Sequence, residues 1–268
     1  MISPLAHISK NAKIGNQVRI DPFAVINDNV TIGDNTHIMS HTLIDSGTTI
    51  GTNCTVFPGA VVGVIPQDLK FVGEDTTTEI GNYTTIRECV TIHRGTKDKW
   101  KTVVGSHCLL MAYAHVAHDC ILGDHVILAN SVQLAGHVLV DDYAILGGLA
   151  GAHQFTHIGA HTYIAGHTVI RKDVPPYVKA AREPLSYMGI NLVGLQRSGF
   201  SREEIKEISD IYHILFVEKH TTSAAISIIE KSFGEQNASK NILNFVKSSK
   251  SGIIKRQYKS GNDEDFSF

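Results

Sequence analysis

The feature that most constrains the fold is a six-residue repeat that runs without interruption from Val104 to Pro175. Its twelve blocks, from VGSHCL to IRKDVP, open with an aliphatic residue (once with Ala) and carry Ala, Val, Thr or Cys at position 5. If three blocks make one turn of a triangular prism, each side chain returns to the same face every three blocks. The repeat therefore predicts a hexapeptide parallel β-helix, in which each short strand stacks on the equivalent strand of the next coil.

The same period starts near the N-terminus and is interrupted twice. Branched aliphatic residues keep a strict spacing of six from Ile2 to Val62, and Gly and Asn in IGNQ, IGDN and IGTN suit corners with a positive φ. The frame breaks at 65–79 and again at 94–103. Insertions in a solenoid leave its wall as loops, and loops on a rigid scaffold are where binding residues collect.

The C-terminal third has a different pattern. The paired prolines at 175–176 cannot donate to a strand ladder, so we expect the β-helix to end there. Ser201 and Glu204 form an S-x-x-E capping box ahead of helically spaced apolar residues. Further helices are expected over 222–233 and 239–249. The predicted domains are a β-helix over 1–176, a connector over 177–199 and a helical domain over 200–268.

Composition excludes several classes of protein. The formal net charge is only −2 and there is no basic block with interleaved aromatics, so a nucleic-acid partner is not expected. No apolar run is long enough to span a membrane, and the N-terminus lacks a basic segment followed by an apolar one, so we expect a cytoplasmic protein. None of the four cysteines lies in a C-x-x-C pair, which favours packing over a zinc knuckle or disulfides.

The candidate chemistry comes from polar side chains crowded into a few coils. They are His115, His118, Asp119, His137, His153 and Gln154. A spacing of 18 residues puts His118, Gly136 and Gln154 in one column, with adjacent coils about 4.8 Å apart, and puts Asp119 and His137 in the next column.

This arrangement suits acyl transfer to a hydroxyl group. The imidazole of His118 is a candidate general base because imidazoles titrate near neutral pH. Asp119 would orient the ring, provided that a turn brings these two neighbours to one side. The N–H of Gly136 would stabilise the oxyanion. A thioester donor is already activated, so no Ser or Cys nucleophile is required.

Two other interpretations remain open at this point. Histidines at corner positions, such as His37, His41 and His125, are typical polar fillers, and the chain as a whole would then be a purely structural solenoid. Zinc binding is the other alternative, because β-helix enzymes such as the γ-class carbonic anhydrases hold zinc with histidines. His115, His118 and His137 would be its ligands here.

Several segments closely resemble a known family: IPQDLKFVGE, IRECVTIHRGT, AHVAHDCILG, LAGHVLVDDYAILGG, AHQFTHIGAH, DVPPYV and GINLVGLQRSGFS. The chain resembles the UDP-N-acetylglucosamine O-acyltransferases of lipid A biosynthesis up to about residue 200, and more loosely beyond. The resemblance implies a left-handed β-helix that forms a homotrimer, with active sites between subunits. It also implies transfer of a 3-hydroxyacyl chain from acyl carrier protein to the 3-hydroxyl of UDP-N-acetylglucosamine, without a metal or bound cofactor.

The resemblance also implies roles for individual residues. His118 would be the general base, Asp119 its support and Gly136 the oxyanion donor. The predicted substrate contacts are Gln67, Asp68, Lys70, His115, His137, His153, Gln154, Asn191 and Arg197. Gly166 matches the position that measures the acyl chain, and its missing side chain predicts a chain nearer about 14 carbons than about 10. Val193 and Ser198 depart from the family pattern, which bears on nucleotide binding.

Two related acyltransferase activities fit these residues less well. A later N-acyltransferase of the pathway has an extra N-terminal domain, whereas the repeat here begins at Ile2. The QDLK loop and the C-terminal helices argue against a small acetyl-CoA-dependent transferase. Arg171, Lys172, Lys179 and Arg182 form a basic cluster that is either a dock for the acidic carrier protein or an ordinary solvated surface.

Overall fold

The computed structural model describes residues 1–234 and 236–256, and within these ranges the chain forms 27 strands followed by four helices. In chain order, the first strands are β1 (His7–Ile8), β2 (Lys13–Ile14), β3 (Arg19–Ile20), β4 (Val25–Ile26), β5 (Thr31–Ile32), β6 (His37–Ile38), β7 (Leu43–Ile44), β8 (Thr48–Ile50), β9 (Thr55–Val56), β10 (Val61–Val64), β11 (Thr77–Ile80), β12 (Thr85–Ile86), β13 (Thr91–His93) and β14 (Lys101–Val104). The uninterrupted repeat gives β15 (Leu109–Leu110), β16 (His115–Val116), β17 (Ile121–Leu122), β18 (Ile127–Leu128), β19 (Gln133–Leu134), β20 (Leu139–Val140), β21 (Ile145–Leu146), β22 (Gly151–Ala152), β23 (His157–Ile158), β24 (Tyr163–Ile164) and β25 (Val169–Ile170). The remaining elements are β26 (Val178–Ala181), β27 (Ser186–Ile190), α1 (Leu192–Arg197), α2 (Arg202–Phe216), α3 (Thr222–Phe233) and α4 (Asn237–Ser248).

Every third strand pairs with its equivalent in the next coil, which gives three walls. The first sheet runs from β1 to β25 with nine strands, the second from β2 to β23 with eight, and the third holds ten strands from β3 to β27. In the first sheet His115 pairs with Gln133 and Gln133 with Gly151, which is the 18-residue register of the repeat. The chain is therefore the left-handed parallel β-helix that was predicted, with a small helical region at its C-terminal end.

Aliphatic side chains fill the prism, because the last residue of nearly every short strand points inward. Ile20, Ile38 and Val56 form one such column and are buried. Cys54, Cys108 and Cys120 are also buried and unbridged, and burial raises the pKa of the Cys108 thiol to about 11. The packing interpretation of these three cysteines is confirmed.

The corner glycines serve a different purpose from the one predicted. In IGDN the positive φ of 59° belongs to Asn35, and Gly33 itself has no such φ. A Cβ on Gly33 would lie 2.6 Å from the carbonyl carbon of Gly51 in the next coil. The glycine therefore allows two coils to approach each other, while residues such as Asn35 adopt the left-handed conformation.

Two loops leave the wall where the repeat breaks. The first loop covers residues 65–76, so that 77–79, predicted as loop, belong to β11. The second loop covers 94–100 and ends where β14 begins at Lys101. Both predicted loops are therefore present and somewhat shorter than expected.

The third sheet continues for two strands past the paired prolines, so the expectation that the strand ladder ends there is wrong. Lys179 of β26 pairs in parallel with Tyr163 of β24, and β27 adds an antiparallel strand inside the predicted connector. The prolines precede β26, so their missing N–H groups are not needed by the ladder.

The helices pack on the end of the same prism. The predicted capping box of α2 is present: Glu204 N–H donates to Ser201 Oγ, and Ser201 N–H donates to the Glu204 carboxylate. Tyr212 is fully buried and donates its hydroxyl to the carbonyl of Pro176. The part of the predicted helical domain at 257–268, and Glu235, lie outside the described residues. No described helix is long and apolar enough to cross a membrane.

Candidate active site

A groove of about 440 Å³ runs along the first sheet at the level of the two loops. Four imidazoles line it, and three of them, those of His93, His115 and His118, lie beside the edge that leads into the second sheet. Of the predicted site residues, those that line it are Gln67, His115, His118, Gly136, His153 and Gln154. Larger cavities of about 780 and 690 Å³ lie against the C-terminal helices, but three histidines and a buried carboxylate converge only at the smaller groove in the described structure.

His118 and Asp119 form a buried pair at the corner after β16. Asp119 has a φ of 59°, and this left-handed turn brings two consecutive side chains to the same side. Nδ1 of His118 lies 2.8 Å from Oδ2 of Asp119. An ionised carboxylate only accepts hydrogen bonds, so Nδ1 carries the proton and Nε2 holds the lone pair. The turn required by the sequence argument is present, and the imidazole is oriented as a base.

The second loop holds the carboxylate of Asp119. The N–H groups of Thr96 and Lys99 donate to Oδ1, at 2.9 and 3.2 Å, and the hydroxyl of Thr96 donates to Oδ2 at 2.6 Å. Burial raises the pKa of Asp119, but the hydrogen bonds from His118 and Thr96 outweigh it and hold the pKa below its ordinary value. The loop therefore keeps a fully buried carboxylate ionised.

Gly136 lies against the ring of His118, one coil further along. A Cβ at Gly136 would be 2.6 Å from Cε1 and 2.7 Å from Nε2 of that ring, so only glycine fits. At the next edge of the prism, the N–H groups of Ser106 and Asp124 are capped by Asp124 and Asp142. Among the described residues the N–H of Gly136 donates to no such group, which leaves a backbone donor beside the imidazole.

His115 and His93 line the floor of the groove. Nδ1 of His115 lies 2.7 Å from Oγ1 of Thr91, and its ring meets that of His93 edge-on at 4.8 Å. Burial, with the nearby His115 and His118, lowers the pKa of His93 to about 4. Burial also lowers the pKa of His115. The floor is therefore uncharged near neutral pH.

His137 stands over the dyad without lining the groove. Its Nδ1 lies 3.1 Å from a carboxylate oxygen of Asp98, and its Nε2 lies 3.8 Å from Oδ2 of Asp119. Its ring stacks on Phe155 at 4.5 Å. Burial lowers the pKa of His137, although the two carboxylates oppose that effect. His137 therefore screens Asp119 from solvent.

The remaining predicted contacts lie away from the groove of a single chain. Asp68 and Lys70 are on the first loop, where the N–H of Lys70 donates to Asp68 Oδ1. Asn191 caps α1 by accepting from Gly194 N–H and donates its amide to the carbonyl of His161. Arg197 ends α1, exposed, and Gly166 borders the carbonyl of Gly148 at another edge of the prism.

The metal interpretation requires ligand atoms that are already engaged. Within the described residues one group of potential ligands, namely His118, Asp119 and His137, has its ligand atoms within 4.8 Å of one another. The carboxylate of Asp119 already accepts two hydrogen bonds at each oxygen. A carboxylate offers about four lone-pair directions, so a cation here would displace one of these donors. The geometry fits a hydrogen-bonded dyad better than a metal centre.

Sequence reasoning missed three residues that shape this site. Thr96 holds Asp119, His93 packs on His115, and Asp98 approaches His137. His93 and Thr96 both lie in the IHRGT segment. The hydroxyl of Thr96 is uncharged and lies on an insertion, so the six-residue period does not indicate its position. Asp98 lies in a charged insertion that reads as solvated.

Comparisons with known proteins agree with this fold. A family model described as UDP-N-acetylglucosamine O-acyltransferase, domain 2, matches residues 173–254, and the bacterial transferase hexapeptide model matches 11–46 and 101–136. The acyl-(acyl-carrier-protein)–UDP-N-acetylglucosamine O-acyltransferase of Thiobacillus denitrificans is 41% identical over 201 residues, which are 75% of this chain and 78% of that protein.

Solved structures give the same result. The UDP-N-acetylglucosamine acyltransferase of Bacteroides fragilis 9343 superimposes with a TM-score of 0.93 at 47% identity, covering 95% of this chain and all (100%) of that one. The Arabidopsis enzyme of the same description gives 0.84 at 33% identity, with coverage of 95% and 100%. On this identity and coverage, the chain belongs to the family of UDP-N-acetylglucosamine O-acyltransferases.

Proposed function

We propose that this enzyme moves a 3-hydroxyacyl chain from acyl carrier protein to the 3-hydroxyl of UDP-N-acetylglucosamine, with His118 as general base. The observation that carries the proposal is one arrangement: an imidazole with its Nδ1 held by a buried carboxylate and its other nitrogen beside an uncommitted backbone N–H. The relatives are named for both substrates, and we extend those names to this chain. The reaction would belong to lipid A biosynthesis in the cytoplasm, as expected from the sequence.

The dyad performs each proton transfer of the reaction. Nε2 of His118 takes the proton of the sugar hydroxyl as its oxygen attacks the thioester carbon. Asp119 stabilises the resulting imidazolium. The N–H of Gly136 donates to the oxyanion, a contribution of roughly 3 kcal/mol when such donors are removed elsewhere. The tetrahedral intermediate then expels the carrier's thiolate, which recovers the proton from His118.

A homotrimer accounts for the residues that a single chain leaves apart. The exposed Lys70 and Arg197 carry positive charges that suit a nucleotide diphosphate, but they lie away from the groove on their own chain. We infer that neighbouring subunits complete each groove with the first loop and α1, which adds Asp68, Lys70, Asn191 and Arg197. Asn191 contributes chiefly by fixing the start of α1.

Gly166 would set the length of the acyl chain. It has no side chain to obstruct a groove along its edge of the prism, which supports a longer chain, nearer about 14 carbons than about 10. Replacing it by methionine, as Gly166→Met, should move the preference toward shorter donors. Because a Cβ there approaches the carbonyl of Gly148, thermal melting must accompany the assay.

The decisive experiment measures transfer from 3-hydroxyacyl carrier proteins of graded length to UDP-N-acetylglucosamine, with the product identified by mass spectrometry. His118→Ala should lower the rate about 1,000-fold, because the reaction loses its base. His37→Ala removes a histidine on the outer wall and should stay within about twofold of wild type.

Two results would overturn the proposal. Activity of His118→Ala close to that of wild type would remove His118 from the chemistry. Acylation of a 3-amino analogue, with no transfer to the 3-hydroxyl sugar, would mean that the acceptor has been assigned wrongly.

A further inference from the structure

The second loop carries a threonine whose hydroxyl reaches the catalytic pair from behind. Thr96 is buried, with 7% of its surface exposed, and it does not line the groove. Its N–H donates to Oδ1 of Asp119 and its hydroxyl donates to Oδ2, the same oxygen that lies 2.8 Å from His118 Nδ1. A side chain outside the groove thus shares an acceptor with the base.

The direction of the Thr96 hydroxyl is fixed by the loop itself. The N–H of Asp98 donates to Thr96 Oγ1 at 3.3 Å. An N–H cannot accept, so the single proton of the hydroxyl is left for Asp119. This hydrogen bond therefore has one polarity whatever the state of the groove.

The base of the loop is anchored to the wall. Thr76 donates its hydroxyl to the carbonyl of Gly95 at 2.6 Å, and the N–H of Trp100 closes the loop by donating to the carbonyl of Thr96 at 2.7 Å. Arg94 donates to the carbonyl of Gly63 and forms an ion pair with Asp45. Thr96 is therefore held from both sides.

We propose that Thr96 is a positioning residue, which acts through Asp119 to fix the tautomer and orientation of the His118 ring. The inference rests on the proposed function, since it needs His118 as the base. The second loop would then affect the reaction through Thr96, although Thr96 does not line the groove. The other titratable or charged groups that face the pair are His93, His115, His137, Asp98 and Lys99.

The test compares Thr96→Val with two matched variants in steady-state assays over a range of pH. Thr96→Val keeps the shape and removes the hydroxyl. It should lower kcat about 10- to 100-fold, the effect of losing a hydrogen bond to a charged group, and leave KM for the sugar within about twofold. The acidic limb of kcat/KM should move to higher pH, because a carboxylate with fewer donors stabilises the imidazolium more strongly.

Two controls separate positioning from packing. Thr96→Ser restores the hydroxyl and should recover most of kcat and the wild-type pH profile. Thr78→Val makes the same exchange at a buried threonine whose hydroxyl has no partner in the described structure, and should match wild type. If a melting experiment shows that Thr96→Val does not fold, Thr96→Ala removes the same hydroxyl and can be compared with Thr96→Ser instead.

The outcomes are distinct. If Thr96→Val behaves like Thr78→Val while His118→Ala is inactive, the positioning role is wrong and the proposed function stands. If His118→Ala itself keeps its activity, the proposed function is wrong. A loss in Thr96→Val that serine does not rescue, or that appears in KM alone, also overturns the positioning role.

Discussion

Two places on the prism have a close histidine–aspartate contact, but the surroundings of the two contacts differ. On the third sheet, Nε2 of His37 lies 2.8 Å from a carboxylate oxygen of Asp21, and at the corner after β16 Nδ1 of His118 lies at the same distance from Asp119. The side chain of Asp21 is 21% exposed, whereas that of Asp119 is fully buried at 0%. A histidine–aspartate distance alone therefore does not identify a catalytic base.

The difference lies in what surrounds each carboxylate. Asp21 is partly exposed to solvent and also pairs with Arg19, so its contact with His37 is an ordinary surface hydrogen bond. Asp119 receives three hydrogen bonds from a dedicated loop, in addition to its contact with His118. In the first pair the side chains are joined by Nε2, and in the second by Nδ1, which leaves Nε2 beside Gly136. Burial, a fixed acceptor and an available nitrogen distinguish the pair for which we propose a catalytic role.

The strongest way to break this comparison is to neutralise each carboxylate. In Asp119→Asn the new amide group would donate where the carboxylate accepted, so His118 would carry its proton on Nε2 and lose its function as a base. We expect transfer to fall about 10,000-fold, as for the comparable change in a catalytic triad. Asp21→Asn should leave the rate within about twofold, because its pair faces solvent. Equal effects in the two variants, measured as kcat/KM, would contradict the comparison.

A second change tests the environment of the ring. Gly136→Ala would put a methyl group within 2.7 Å of Nε2 of His118, so the ring must move. We expect kcat to fall about 100-fold, since a displacement of about 1 Å at a reacting group has an effect of that size. The measurement is kcat per folded enzyme, with folding followed by circular dichroism.

Gly33→Ala is the matched control for wedging a methyl group between coils. Its Cβ would meet the backbone of Gly51 at 2.6 Å, far from the groove in sequence. It should lower the melting temperature without changing kcat per folded enzyme. If both glycine variants lose activity in proportion to stability, the contact between Gly136 and His118 has no special role.

The repeat made much of this architecture predictable. Its period fixed the three walls and the column of His118, Gly136 and Gln154, because side chains return to one face every coil. The period could not locate Thr96, which lies on an insertion and reaches Asp119 only through the path of that loop. The corner glycines show a similar limit: the pattern marked a turn, but the approach of the next coil to Gly33 depends on stacking in three dimensions.

The predicted substrate contacts also differ between the repeat and the segments outside it. Most of those on the repeat, such as His115 and His118, meet at one groove in a single chain. Most of those on the first loop and on α1, such as Lys70 and Arg197, do not line that groove, and Gln67 is the exception. Periodicity relates positions within one chain, and it carries no information about surfaces that a second copy would supply.

A buried histidine that has no carboxylate partner extends the comparison between the two histidine–aspartate pairs. The expected effect is on stability and is the smallest of those predicted here. His93 has 4% of its surface exposed, and its Nδ1 has no hydrogen-bond partner among the described residues. Burial, with the neighbouring His115 and His118, lowers its pKa from 6.5 to about 4. The unfolded chain therefore binds a proton at His93 between these pH values and the folded chain does not.

It follows that the stability contributed by neutral His93 is present above pH 6.5 and is lost as the pH falls toward about 4. His93→Asn cannot take up this proton, so the slope of unfolding free energy against pH should decrease by up to about one proton in that window. Urea unfolding at fixed protein concentration measures the slope, and His7→Asn, at an exposed histidine, controls for the loss of any imidazole. An unchanged slope in His93→Asn would mean that the buried ring is protonated in the folded protein. That result would contradict the expectation that His93, which has no carboxylate partner, stays neutral in the folded protein.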